Sequence, residues 1–248
     1  MNPTTSREGG PSRGGYGHRP PLLTVCVLVV TLAVSIAGFV DPGVLDALGR
    51  EPGALARGEW WRLLTPLLVH DGGWPHLAAN AAALVVVGAS MECAFGRRPW
   101  SALYLAGGLA GELAGYAWQP QGAGNSVAVC GLAGGLLAAL LLGREARAPA
   151  IGAVFVPFWV AAIVAYASGS PVVGVGLCAL VAPLLGFLVA RNGLSRPVAA
   201  WVGSAGLLGA LTLVALRDIH GPALLAGALV GAGSLRGDPD GSAPVSGG

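Results

Sequence analysis

The chain has no lysine, and all 14 of its basic residues are arginine. Only 10% of its 248 residues are charged, where soluble domains carry roughly 25%. That deficit excludes a disordered chain and an ordinary soluble domain. The arginines stand singly or in pairs, which excludes a basic nucleic-acid surface, so no nucleic-acid partner is expected. The four cysteines (Cys26, Cys93, Cys130 and Cys178) make no CxxC pair and lie in or beside apolar runs. They read as small apolar fillers, with no disulfide framework. No metal and no cofactor is expected. A soluble-type serine hydrolase is also excluded, because Gly124-Asn125-Ser126-Val127-Ala128 departs from the GxSxG elbow.

Apolar length is what the chain has in abundance. Hydrophobic residues make up 54%, glycine adds 41 positions, and mean hydropathy is +0.69. A membrane-spanning helix needs about 20 mostly apolar residues. Apolar runs between polar breaks give eight candidates, at 21–40, 76–95, 99–118, 124–143, 149–168, 171–190, 197–216 and 219–235. The expected fold class is therefore all-α, a polytopic membrane helix bundle embedded in a lipid bilayer. The first run is longer than a signal-peptide core and is followed by no small-x-small cleavage site, so it reads as a retained span. Residues 1–20, rich in Gly, Ser, Pro and Arg, are expected to be a disordered cytoplasmic tail. Residues 21–235 form one membrane domain, and 236–248 a second disordered cytoplasmic tail. The Arg236-Gly237-Asp238 adhesion triplet in that tail reads as a chance occurrence.

The arginines fix an expected orientation. With the N-terminus in the cytoplasm, eight alternating spans place ten arginines inside and four outside. Arg97 with Arg98, Arg144 with Arg147, and Arg191 with Arg196 mark successive inner loops, as the positive-inside rule requires. Both termini are then cytoplasmic. The long outer segment 41–75 carries Trp60, Trp61 and Trp74 among Glu59, Arg62 and Asp71. It is expected to lie partly in the outer interface, where tryptophan prefers the headgroup level.

On this topology the second, fourth and eighth spans run from outside to inside, and each opens with polar residues. Pro75-His76 leads to Asn80, four positions on and so on the same helix face. Gly124-Asn125-Ser126 opens the fourth span and Asp218-Ile219-His220 the eighth. Ser126, His220, His76 and Asn80 thus share one membrane face and a similar depth. Three of the four histidines (His70, His76 and His220) fall in this layer. Taken singly, a serine at a helix start is an N-cap and a histidine there an interfacial polar group; four such groups at one level point to a site. Below them, Ala223, Gly227 and Gly231 continue the His220 stripe, and Gly131, Gly134 and Gly135 lie below Ser126. Small-residue faces let membrane helices approach closely. Packing through them would bring Ser126 and His220 within hydrogen-bond reach, as a base-activated serine nucleophile requires.

Five segments resemble the rhomboid intramembrane serine proteases, in the right order. They are GEWWRLLTPLLVH (58–70), WPHLAAN (74–80), GASMECAFGRR (88–98), GNSVAVCGLAGG (124–135) and HGPALLAG (220–227). The resemblance implies a rhomboid-like core with about eight transmembrane helices. It implies a serine endopeptidase that cuts transmembrane substrate proteins near the outer membrane face. Ser126 would be the nucleophile and His220 its base, a dyad without an acid. The Ser126 backbone N–H with the side chains of His76 and Asn80 would form the oxyanion hole. It also implies a multi-pass protein of the cell membrane, expected to be a bacterial plasma membrane; the lysine deficit with abundant Ala, Gly and Arg points to a GC-rich genome. The chain departs from the pattern in having Val127 after the serine, Cys130 four residues on, and two additional spans before His220. The alternative is a catalytically inactive rhomboid-like protein that binds membrane-protein clients; a transporter is a third reading. Glu112 sits inside a span, facing either the cavity or a neighbouring helix, and Glu92 is expected to pair with Arg97 or Arg98.

Overall fold

The computed structural model describes residues 20–235, so the expected tails, with Arg236-Gly237-Asp238, lie outside the described residues apart from Pro20. The described chain is all-helical. Its only strand-like contact is an isolated antiparallel bridge between Arg50 and Gly122. The helices are α1 (Leu22–Val40), α2 (Pro42–Leu48), α3 (Gly73–Phe95), α4 (Arg97–Trp118), α5 (Ser126–Leu141), α6 (Ala150–Ala167), α7 (Pro171–Asn192), α8 (Arg196–Ala215) and α9 (His220–Ser234). Every expected span has its helix, with boundaries within three residues. By length and composition α1, α3, α6 and α8 suffice to cross a membrane; α5 and most of α7 are shorter apolar helices. The segment expected to be one long loop is more ordered than that. It contains α2 and three 3-10 turns, Leu55–Arg57, Trp60–Leu63 and Thr65–Leu68.

The centre of the bundle is α5. Every residue from Ser126 to Leu140 is buried, as expected for a helix that is apolar all round. It is clasped by α4 and α9, the most extensive helix contacts in the bundle. Lipid is as apolar as leucine, so burial alone does not hold such helices together and close packing must. The seams are glycine on glycine. A Cβ on Gly107 of α4 would overlap Gly131 of α5, one on Gly227 of α9 would overlap the Gly131 carbonyl, and one on Gly134 would overlap the Leu224 carbonyl.

The far ends are closed by charge. Arg196 donates to the Leu140 and Leu141 carbonyls at the end of α5, and Arg144 to the Leu235 carbonyl past α9. Cations at helix C-termini satisfy orphan carbonyls and complement the macrodipole. Glu92 of α3 clasps the start of α1, accepting from the Leu23 and Thr24 N–H groups and the Thr24 hydroxyl. It also lies 3.4 Å from Arg97, the expected pairing. Midway along α3, Leu84–Gly88 forms one turn of π-helix. The Gly88 carbonyl there accepts from Trp100 Nε1 at 3.1 Å.

Candidate active site

Ser126 is the first residue of α5. The chain reaches it through a segment stitched to the 41–72 region. Ala123 N–H donates to Asp71 Oδ2 at 3.0 Å and Gly124 N–H to the Pro66 carbonyl at 2.9 Å. Gly124 has φ +152°, and a Cβ on it would sit 3.0 Å from His76 Cε1, so only glycine fits here. That same point lies 3.2 Å from His76 Nε2 and 3.4 Å from Asn80 Nδ2. Both α3 side chains thus end beside the segment that leads into Ser126. Asn80 is buried, and its Nδ2 has no hydrogen-bond partner among the described residues.

His220 opens α9, and its Nε2 lies 2.8 Å from Ser126 Oγ. The two residues are 94 positions apart and meet because the α5–α9 glycine seam lets the helices touch. Their pairing is not isolated. Asp218 Oδ1 is 2.6 Å from His220 Nδ1 and also accepts the His220 backbone N–H at 3.0 Å. Burial pushes the Asp218 carboxyl up, but the hydrogen bond and charge of His220 outweigh it and hold the group below the usual carboxylate range. An ionised carboxylate only accepts. Nδ1 is therefore the donor, and on a neutral ring Nε2 is left to accept the serine proton. This tautomer is assigned from the hydrogen-bond network.

A second acid–histidine contact lies across the site, with Asp71 Oδ1 3.3 Å from His76 Nδ1; the same Nδ1 accepts the Gly72 N–H at 3.3 Å, which on a neutral ring leaves the proton on Nε2. Burial pushes the Asp71 carboxyl up, and His76 together with the Ala123 N–H outweighs it to hold it low. His70, also placed in this layer by the sequence, contacts Ser35 Oγ at 3.0 Å and meets the His76 ring edge-on at 5.0 Å. Desolvation first, and then the neighbouring His76 charge, lower its pKa to about 4, against the opposing pull of Asn125 and Asp71.

Val127 is compatible with the local backbone. Among the described residues only Arg217 is a non-glycine with positive φ, so Val127 is ordinary helix. Its side chain lies over Gly111, where a Cβ would come within 2.5 Å of it. Glu112 pairs with Arg50 at 2.7 Å, both buried. Arg50 also donates to the Gln119 and Gln121 carbonyls, and Gly115 gives its guanidinium room. This latch fixes the 41–72 region to the end of α4. Arg62 does similar work, bonding Glu59 and the Asp46 and Gly49 carbonyls. Among the described residues no three His, Cys, Asp or Glu side chains are grouped to hold a metal.

The Rhomboid domain pattern matches residues 57–192, more than half of the chain. This chain belongs to the rhomboid family. It is 32% identical over 212 residues to rhomboid protease GluP of Bacillus subtilis, across 82% of this chain and 41% of that protein. It is 30% identical over 114 residues to rhomboid protease AarA of Providencia stuartii, covering 42% of this chain and 40% of the relative. With RHOMBOID-like protein 5 of Arabidopsis thaliana the identity is 40% over 97 residues, 37% of this chain and 31% of the relative. The chain thus spans about two fifths or less of the length of these relatives. The rhomboid match stops at residue 192, ahead of α8 and α9. Family membership and the apolar helices make the protein a multi-pass membrane protein of a protease family.

Sequence reasoning missed Asp218, although it opens the same turn as His220. The available signal was an acid two residues ahead of a histidine at a helix start, an N-cap position. Arg50 was missed because nothing local links it to Glu112, 62 positions away.

Proposed function

We propose that this rhomboid is an intramembrane serine endopeptidase with Ser126 as nucleophile and His220 as its base. The observation that carries the reading is the 2.8 Å contact between Ser126 Oγ and His220 Nε2, across two helices. Ser126 Oγ attacks the scissile carbonyl carbon as its proton passes to His220 Nε2. The resulting oxyanion is held by the Ser126 N–H at the start of α5, by His76 Nε2–H and by Asn80 Nδ2. The imidazolium then protonates the leaving amine, and a water deprotonated by the same ring releases the acyl group. The substrates are transmembrane proteins, cut near the outer face of a bacterial plasma membrane, with both termini of this chain in the cytoplasm. Reporter fusions after Arg196 and after Arg236 test that orientation, since both must read as cytoplasmic.

A fluorophosphonate probe on detergent-solubilised protein tests the chemistry. The wild type takes up the probe and Ser126→Ala does not. A folded wild type that takes up no probe and cuts no transmembrane substrate removes the protease reading and leaves the client-binding one.

A further inference from the structure

We infer that Asp218 is a positioning residue for this serine–histidine pair, holding the Nδ1–H of His220 so that Nε2 faces Ser126 as proton acceptor. The inference rests on the protease reading and adds to it an acid that the dyad description lacks.

The α8–α9 corner is built to hold that acid still. Arg217 adopts the left-handed conformation, φ 54°, which costs a non-glycine residue on the order of 1 kcal/mol and persists only where its surroundings enforce it. The enforcing bonds are present: Arg217 N–H to the Val214 carbonyl at 3.0 Å and Asp218 N–H to the Leu213 carbonyl at 2.9 Å. Gly221 seats α9 against α8 so closely that a Cβ there would come 2.6 Å from Val214 N. Asp218 therefore enters the site on a fixed backbone, and its side chain is only 4% exposed.

Both carboxylate oxygens are used. Oδ1 takes the His220 N–H and Nδ1, while Oδ2 lies 3.4 Å from Gln119 Nε2 in the connection between α4 and α5. The group faces His220 on its own turn, the buried Cys130 thiol of α5 and the Gln119 amide. A plain N-cap needs only the backbone N–H. Here the same oxygen also holds the ring, which removes the freedom to flip or to take the other tautomer. A fixed carboxylate additionally favours the imidazolium that forms as Ser126 attacks.

The decisive variant is Asp218→Asn, because asparagine caps a helix as well as aspartate does and leaves the fold intact. Cleavage of a fluorogenic transmembrane peptide is followed against pH in the full chain, with thermal unfolding as the folding control. The expected result is a loss in kcat/KM on the order of 10²-fold, with the acid limb of the profile moved to lower pH by about one unit. Asp218→Glu recovers part of the loss and moves the limb back. In wild-type protein with ¹⁵N-labelled histidine, a far-downfield imidazole N–H resonance is present, and Asp218→Ala removes it. An active wild type that lacks this resonance overturns the inference. So does a folded Asp218→Asn with wild-type turnover and an unmoved acid limb, and in either case the protease reading stands. A wild type that neither cuts nor takes up the serine probe overturns that reading through Ser126, before any Asp218 variant is compared.

Discussion

At one corner of the site Asp218 holds His220 at 2.6 Å, with side chains only 4% and 15% exposed. At the opposite corner Asp71 stands 3.3 Å from His76, with side chains 43% and 33% exposed. The residue types are the same and the settings differ. The first pair sits on a strained turn wedged between packed helices, where low dielectric strengthens each polar contact and forbids alternatives. The second sits where the 41–72 region meets α3, and water screens it, so a pair of that kind is worth about 0–1 kcal/mol. Burial and backbone restraint thus separate the two histidines, giving one a fixed tautomer and the other an adjustable ring. The division matches the proposed roles, because a base must accept at one defined atom, whereas an oxyanion donor only has to present an N–H.

The largest expected effect breaks the comparison at its first corner. Ser126→Ala and His220→Ala each abolish cleavage of a transmembrane test substrate at matched expression. The double variant is no worse than either single one, because residues acting as a unit are non-additive. A folded His220→Ala with full activity would show that another base serves the serine.

At the second corner the losses are smaller. His76→Ala and Asn80→Ala each lower turnover on the order of 10²-fold, since each removes one oxyanion donor while others remain. Their folding, followed by thermal unfolding, stays largely intact. Unchanged turnover in folded Asn80→Ala takes that residue out of the site.

Asp71→Asn sharpens the comparison directly. Its effect on kcat/KM stays below about tenfold and shrinks further in high salt, because an exposed carboxylate is screened. A loss equal to that of Asp218→Asn would erase the distinction between the corners.

The smallest effect is on stability. His70 has a folded pKa near 4 against an ordinary 6.5. Between those values the unfolded chain binds the proton and the folded one does not. The stability that neutral His70 contributes is therefore complete above about pH 6.5 and is lost as pH falls toward 4, at up to about 1.4 kcal/mol per pH unit. The apparent Tm in detergent should drop from pH 7 to pH 5, and His70→Asn should flatten that drop. A Tm slope unaffected by the substitution assigns the acid sensitivity elsewhere. Asp71 has the same sign in a lower window. Its depressed pKa stabilises the fold above the ordinary carboxylate value, and that contribution fades as pH falls below it.

The helices were legible because each is a continuous apolar run, and the arginines punctuate them. The meeting of Ser126 and His220 was legible through the glycine stripes, since a stripe of small residues has one structural use in a bilayer. The arrangement within 41–72 was not legible. Its short turns are held by Arg50 and Arg62 reaching carbonyls and carboxylates far along the chain, and no periodicity records such contacts. Asp218 was visible but was given no role. Two residues before a histidine is an unhelpful spacing on a helix and a productive one at a helix start, and only the turn at Arg217 decides between them.

The π-turn at Leu84–Gly88 sets the phase of α3. Asn80 and Glu92 are twelve positions apart, which on a uniform α-helix leaves them facing about 120° away from each other. The wider turn between them winds back part of that angle, so one helix presents an amide beside Gly124, in the segment that leads into Ser126, at one pole and a carboxylate to the start of α1 at the other. The two poles are thereby geared together, and the clasp at Thr24 serves as the angular reference for the proposed oxyanion donor. Deleting one residue within Leu84–Gly88 would leave both side chains in the sequence and swing Asn80 about 100° out of register with Ser126.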